Sequence, residues 1–332
     1  MRFVTIVLAT SVAFAQTTKV FQLTQHEDQP SLQEIGQLLH FVAEIPQSSI
    51  DGGIKAVTMN GTNEQVATAD WLLHQVDLPA TGPFAGVHEY PLAAGGDVLR
   101  VFYLTHTSTP MEVQEIATTI RSLADIRRLG IYNERKALAV RGTPQQVALA
   151  AWLVDQLNQP AGTPAPGPDK FKYSETEVAR VFELAHPETP QQLQEIVTLI
   201  RSVADMQREF MYLPRNAIAM RGPVDRVDLA AWLVHELDQP ADAPAESREY
   251  RLPNDPQNTV RVFYLGNSLT DMQRRTVLTR VRATAHTNRM FLYSARDALV
   301  VRGAPEQIVQ AQKVVEQTTA SFAAHASSTP AP

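Results

Sequence analysis

The chain has 332 residues, no cysteine and a formal charge of −6, from 29 Lys and Arg against 35 Asp and Glu. Without cysteine there are no disulfides, thiolate nucleophiles or cysteine metal sites, so packing alone must stabilise the fold. The acidic balance argues against a nucleic-acid partner, which would call for a basic patch.

Residues 1–15 carry Arg2 and then an apolar run from Phe3 to Phe14. Ala13-Phe14-Ala15 precedes Gln16 with the small-x-small spacing of a secretory cleavage site. The run is too short to span a bilayer, so the sequence predicts a signal peptide over 1–15 and an exported chain with no transmembrane segment once it is removed. Losing Arg2 leaves 28 positive against 35 negative residues, a charge of −7.

A block then recurs. Arg141-Gly142-Thr143-Pro144 leading to Ala151-Trp152-Leu153-Val154 and Asn158-Gln159-Pro160 is echoed by Arg221-Gly222-Pro223 with Ala231-Trp232-Leu233-Val234 and Asp238-Gln239-Pro240. Asn60-Gly61-Thr62 with Asp70-Trp71-Leu72-Leu73 comes before it, and Arg302-Gly303-Ala304-Pro305 comes after. A period of about 80 residues defines a repeat array. The predicted units are 16–79, 98–160, 178–240 and 259–318, with linkers carrying edge strands at 80–97, 161–177 and 241–258 and a disordered tail at 319–332.

Each unit opens on an alternating strand, such as Arg100-Val101-Phe102-Tyr103-Leu104 or Arg180-Val181-Phe182-Glu183-Leu184. A helix start follows: Thr109-Pro110-Met111-Glu112 supplies a capping hydroxyl, a proline at the first turn and a carboxylate three residues after the cap. Thr189 with Gln192 and Thr270 with Gln273 repeat that chemistry. Val113, Ile116, Ile120 and Leu123 then fall on one helical face beside Ala117 and Ala124. A hairpin fits 130–140, and a second helix runs from Thr143-Pro144 to a stop at Pro160. The predicted class is α+β, four tandem strand-helix-strand-strand-helix units, each with two helices on a small sheet. Short alternating runs after the proline-rich spacers, such as His88-Glu89-Tyr90-Pro91-Leu92 and Arg248-Glu249-Tyr250-Arg251-Leu252, predict an extra strand pairing with the next unit's first strand.

The framework Val-Phe-x-Leu, helix, Asn216-Ala217-Ile218-Ala219-Met220-Arg221-Gly222-Pro223, helix and Leu237-Asp238-Gln239-Pro240 resembles the short N-terminal domains of bacterial secretins. These belong to type II and type III secretion and type IV pilus systems. The resemblance covers all four units and implies a small sheet with two helices on one face, packed side by side into periplasmic rings. Nothing after the fourth unit resembles the Gly-rich secretin barrel. The resemblance therefore implies assembly or protein binding in the envelope without a pore, with the chain itself or a secretion component as partner and a homo-oligomer as one outcome.

No catalytic constellation stands out: there is no Gly-x-Ser-x-Gly, phosphate-cradling loop or His-Glu-x-x-His. The expectation is a non-enzymatic protein with no cofactor and no metal. His26-Glu27-Asp28 is the only cluster of metal-ligand types, and Asp28 sits where a helix cap is expected. The strand and helix order is also similar to a KH arrangement, but the Gly-x-x-Gly loop that clamps nucleic acid is missing.

Two residue sets remain as candidate contact sites. Arg121, Arg201 and Arg282 on the first helices, and Arg141, Arg221 and Arg302 before the second helices, form either a row of cationic sites or local ion pairs such as Arg121–Asp125 and Arg201–Asp205. Pairs of that kind contribute about 0.3–0.5 kcal/mol each. On the second helix Val147, Ala150, Val154 and Leu157 form the buried stripe, which turns Trp152 and Leu149 to the opposite side. Trp71, Trp232 and Leu229 occupy matching positions, whereas the fourth unit has Lys313 and Gln310. A terminal repeat with a polar outer face is what a capped array requires. The tryptophans are expected either to pack on their spacer, edge strand or next unit, making a semi-rigid rod, or to cover their own sheet edge. The alternatives to an assembly module are a monomeric periplasmic binding protein for a soluble or cell-wall ligand and, last, an exported hydrolase.

Overall fold

Local chemistry sets the helix boundaries. The Asp28 carboxylate accepts the Ser31 amide at 2.8 Å and opens α1 (Gln29–Phe41). Thr62 and Gln65 form a reciprocal capping box at α2 (Asn63–Val76), and Thr270 and Gln273 form another at α7 (Asp271–Ala285). Each box satisfies helix N–H groups that have no partner within the helix. His26 and Glu27, and residues 1–15 with the expected leader, lie outside the described residues, so the metal-type cluster is described only at Asp28. The computed structural model describes residues 16–25, 28–79, 88–93, 95–187, 189–240, 243–266 and 269–328.

The fold is α+β, with eight helices and four small antiparallel sheets among the described residues. The first sheet has three strands in the order β1 (Gln16–Gln22), β3 (Ala56–Thr62), β2 (Gln47–Asp51). The second has four, ordered β4 (His88–Pro91), β5 (Val98–Tyr103), β7 (Ala137–Gly142), β6 (Arg128–Tyr132), and is accompanied by α3 (Pro110–Leu123) and α4 (Pro144–Leu157). The third is ordered β8 (Lys170–Lys172), β9 (Glu177–Glu183), β11 (Ala217–Pro223), β10 (Glu209–Tyr212), with α5 (Pro190–Val203) and α6 (Val224–Leu237). The fourth is ordered β12 (Arg248–Arg251), β13 (Thr259–Tyr264), β15 (Ala298–Gly303), β14 (Met290–Tyr293), with α7 and α8 (Pro305–Ser328). In the last three sheets a strand from the preceding spacer pairs with the long first strand: His88 opposite Val101, Lys170 opposite Arg180, Arg248 opposite Val262.

Hairpins β6–β7, β10–β11 and β14–β15 turn through a 3-10 segment that ends on Lys136, Asn216 and Asp297 with φ of 47°, 47° and 49°. That left-handed geometry is tolerated by Asn and Asp through local hydrogen bonding.

The tail differs from expectation. The sequence predicts disorder over 319–332, yet α8 continues to Ser328. No proline halts it as Pro79, Pro160 and Pro240 follow the other second helices. Thr318 is buried, and Phe322, one turn further on, packs on the cluster of Val277, Val281 and Ile308.

The chain divides into two compact units, residues 1–117 with 124–151, and residues 118–123 with 152–332. Each holds two sheets joined by one core. In the first unit Leu38, Leu39 and Val42 of α1 share a cluster with Leu99 and Val101 of β5 and with Tyr132, Ala137 and Ala139 of the neighbouring strands. In the second, Leu199 and Val203 of α5 share one with Val260, Val262, Ala298 and Val300. A helix pair therefore buries one side on its own sheet and the other on the sheet that follows. A small sheet with two helices buries too little apolar surface to be secure alone, and the following sheet supplies the remainder.

Candidate functional site

The most developed feature of the structure is this joint between a helix pair and the next sheet, which uses the same groups each time. In the first unit the Glu34 carboxylate on α1 accepts the Asn133 backbone N–H at 2.8 Å and the Asn133 side-chain amide at 2.5 Å. In the second, Glu195 on α5 accepts the Ser294 N–H at 2.9 Å and its hydroxyl at 2.7 Å. Both acceptors meet the turn of the following hairpin. Charge-assisted hydrogen bonds of this type are the stronger class.

The tryptophans meet the opposite edge of a sheet, at β4, β8 or β12. Trp71 lies 5.5 Å from Tyr90 of β4 between ring centroids, and Trp232 lies 5.3 Å from Tyr250 of β12. Trp152, only 7% exposed, lies 5.9 Å from Phe171 of β8 and donates its indole N–H to the Pro168 carbonyl at 3.1 Å. Aromatic pairs at such distances add about 0.5–1.5 kcal/mol beyond the area they bury. Leu149 and Leu229 are fully buried. Each tryptophan thus meets the strand contributed by the spacer behind it, and Trp152 meets the spacer backbone as well.

The second hydroxyl-bearing ring of the joint is on β5 or β13. The Tyr103 hydroxyl donates to the Gln75 carbonyl at 2.8 Å and the Tyr264 hydroxyl to Glu236 O at 3.2 Å. Burial pushes both phenols up, Tyr103 to about 12.

The arginine set divides. Arg141 donates to Val42 O at 3.2 Å, Arg302 to Val203 O at 2.9 Å and Arg221 to Leu123 O. These carbonyls end the first helices, so each guanidinium satisfies a group the helix leaves open. Arg141 also pairs with Glu44 at 3.0 Å, Arg302 with Asp255 at 3.5 Å and Arg221 with Glu177 at 3.4 Å. Arg221 and Arg302 are buried, and the Arg302 pKa is lowered by that burial. Arg121, Arg201 and Arg282 are exposed.

The expected pair Arg201–Asp205 is not what forms. Arg201 binds Glu209 on β10, and Asp205 takes Arg226, which reaches its carbonyl at 2.7 Å and its carboxylate at 3.2 Å. Asp205 has φ of 57°, so the chain has already left the helix there and the carboxylate no longer sits one turn above Arg201.

Burial pushes the Glu209 carboxyl above the ordinary range, with Arg201 opposing it. A raised carboxyl holds its proton longer in the folded chain. Stability from this group is therefore fully present below the ordinary carboxylate pKa and falls as pH rises through the folded value. Glu209→Gln should flatten that fall in urea midpoints measured between pH 4 and 7, and an unchanged slope would contradict it.

A further arginine set was missed in the sequence. Arg135 donates to Leu78 O at 2.8 Å, Arg215 to Pro160 O and Thr163 O at 2.7 Å each, and Arg296 to Ala243 O at 3.1 Å. Each sits in a hairpin turn and fastens the backbone that leaves the preceding second helix. Its signal was the spacing of 80 and 81 residues, hidden among many other arginines. Among the described residues no group of three or more His, Asp or Glu is arranged to hold a metal, and no helix is long and apolar enough to cross a membrane.

No family model matches the chain and no curated protein matches it. Solved structures give weak likenesses. The N-terminal domain of the secretin XcpQ from Pseudomonas aeruginosa is 16% identical, with 43% of this chain and 60% of that one covered and a TM-score of 0.19. The XcpQN012 structure is 14% identical, with 68% and 100% covered and a TM-score of 0.23. A chain of the a/eIF2alpha-aDim2p-rRNA complex from Pyrococcus horikoshii OT3 is 18% identical, with 46% and 89% covered and a TM-score of 0.24.

Proposed function

We propose that this chain is a non-enzymatic assembly or protein-binding module of the bacterial cell envelope, built from four tandem copies of one α+β unit. One observation carries the reading: the joint recurs with matched side chains, Glu34 and Glu195 on hairpin turns, Trp71 and Trp232 on aromatic strands, Arg141 and Arg302 on helix-end carbonyls. Polar and aromatic groups that another protein would devote to catalysis are used here to fasten layers together. Trp71, Trp152 and Trp232, with Leu149 and Leu229, are the packing residues between copies. Arg121, Arg201 and Arg282, exposed on the first helices, are the candidate cationic sites for an acidic partner or a second copy, Arg201 with its pairing to Glu209 in place.

The leader-like residues 1–15 and the resemblance of the unit framework to secretin periplasmic domains support an exported, periplasmic placement, and association with a secretion or pilus machine fits it. Expression with the native N-terminus should yield a periplasmic protein beginning at Gln16, and recovery with Met1 intact would overturn export. Light scattering on that protein across a concentration series separates a self-assembling module, seen as a discrete oligomer, from a monomer that binds another protein. Turnover in a broad hydrolase screen, abolished by one substitution, would overturn the non-enzymatic reading.

A further inference from the structure

The faces that would continue the joint at either end of the chain do not have its chemistry. On the second sheet, the side that meets α1 and α2 presents Leu99, Val101, Ala137, Ala139 and Tyr132, all no more than 3% exposed, with Tyr103 and Arg141 beside them. The fourth sheet offers Val260, Val262, Ala298, Val300 and Tyr293, again no more than 3% exposed, with Tyr264 and Arg302.

Eighty-one residues before the second-sheet set, the first sheet has Thr18, Val20, Ala56, Thr58 and Asp51, with Gln22 and Asn60 in place of the tyrosine and arginine. Strand alternation puts these on the side of the sheet away from Phe21, Val57 and Met59, which are buried on α1 and α2. Thr18, Gln22 and Asp51 are exposed, and Val20, the one large apolar group of the set, is 60% exposed.

The last helix pair shows the complementary change. Glu195, Leu199 and Val203 of α5 become Thr276, Arg280 and Thr284 on α7 at a spacing of 81 residues. Leu229, Trp232 and Glu236 of α6 become Gln310, Lys313 and Gln317 on α8. Leu199, Val203 and Leu229 are fully buried, whereas Arg280, Thr284, Gln310, Lys313 and Gln317 are exposed. The acceptor for the hairpin turn, the apolar ridge and the tryptophan are lost together.

We infer that the chain is closed to its own joint at both ends, so that two copies do not join head to tail and any assembly with a second copy or another protein uses the remaining, lateral surfaces. The physical reason is desolvation. Seating a sheet on the last helix pair would bury Lys313 and Arg280 against Thr18, Thr58 and Asn60, with Asp51 the single carboxylate of that set for two cations, and a buried unpaired charge is strongly unfavourable. A repeat array with an apolar end would continue into a fibre, and polar terminal faces prevent it. This rests on the tandem-copy part of the proposed function and not on export, partner or lack of turnover.

The test grafts the joint back onto two separate proteins. One full chain carries Thr18→Leu, Gln22→Tyr, Asp51→Tyr, Thr58→Ala and Asn60→Arg. The other carries Thr276→Glu, Arg280→Leu, Thr284→Val, Gln310→Leu and Lys313→Trp. Mixed in equal amounts, with circular dichroism of each matching the wild type, they should form a 1:1 complex by light scattering while the wild type mixed with either does not. Failure of the folded pair to associate overturns the inference. A second arm needs no graft: if the wild type oligomerises and Val20→Lys or Arg280→Glu dissociates it, the ends are open and the inference fails. A wild-type oligomer unchanged by both, or a monomer, is the expected result.

Discussion

Leu199→Ala is expected to destabilise the unit formed by residues 118–123 and 152–332 by about 2–5 kcal/mol, the range for removing a fully buried leucine side chain. Leu199 is 0% exposed and lies in a cluster with residues of both the third and the fourth sheet. On a helix that covered only its own sheet, this position would face water and the change would be within about 0.5 kcal/mol. The chain has two compact units, and multi-unit chains do not in general unfold in one two-state step, so the probe must sit in the unit that is changed. The measurement is therefore a urea titration followed by Trp232 fluorescence, in a variant with Trp71 and Trp152 replaced by phenylalanine. Trp71 belongs to the other unit, so the Trp71-only counterpart follows that unit separately.

Arg302→Met should cost about 1–3 kcal/mol in the same titration, the desolvation penalty of a buried acceptor left without its donor. The guanidinium is held between Val203 O at 2.9 Å and Asp255 at 3.5 Å with 8% of its side chain exposed. Methionine fills similar space, so the loss reports the carbonyl and the carboxylate rather than a cavity. Arg141→Met in the first unit should lose less. Its carbonyl bond is longer, 3.2 Å, and its side chain is 12% exposed, so water replaces part of what is removed. Equal losses at the two positions would mean that the carbonyl contact is not the source of the effect.

Much of each unit was legible because its cues are local. Thr189 and Gln192, or Thr270 and Gln273, announce a helix within four residues, and the stripe Val113, Ile116, Ile120, Leu123 is buried as its spacing requires. The joint was less legible. Glu34 and Asn133 are 99 residues apart, as are Glu195 and Ser294, and neither glutamate differs in its local setting from any solvated helix carboxylate. Leu38 and Leu199 read simply as a broadening of the apolar stripe, because a helix pattern gives the width of the buried face but not how many partners cover it. Four repeats recur in the sequence, while the contacts group the chain into two compact bodies of two sheets each. The candidate tryptophans were visible as large aromatics outside the stripe and the spacer strands as short alternating runs, His88–Pro91, Lys170–Lys172 and Arg248–Arg251, but the pairing of Trp71 with Tyr90, Trp152 with Phe171 and Trp232 with Tyr250 is a contact between elements that spacing alone does not give. The tail was misjudged because small polar residues lower helix propensity only slightly and Phe322 supplies the packing that keeps α8 in place.

The central claim is that a helix pair and the sheet after it are one cooperative core. Native-state hydrogen exchange of the unmodified chain at increasing urea tests this most directly. The account predicts that the slowest amides of β11 and β15, which belong to the third and fourth sheets, converge on one opening free energy and one urea dependence. Two separate isotherms, with β15 exchanging through an opening that leaves β11 protected throughout, would contradict it.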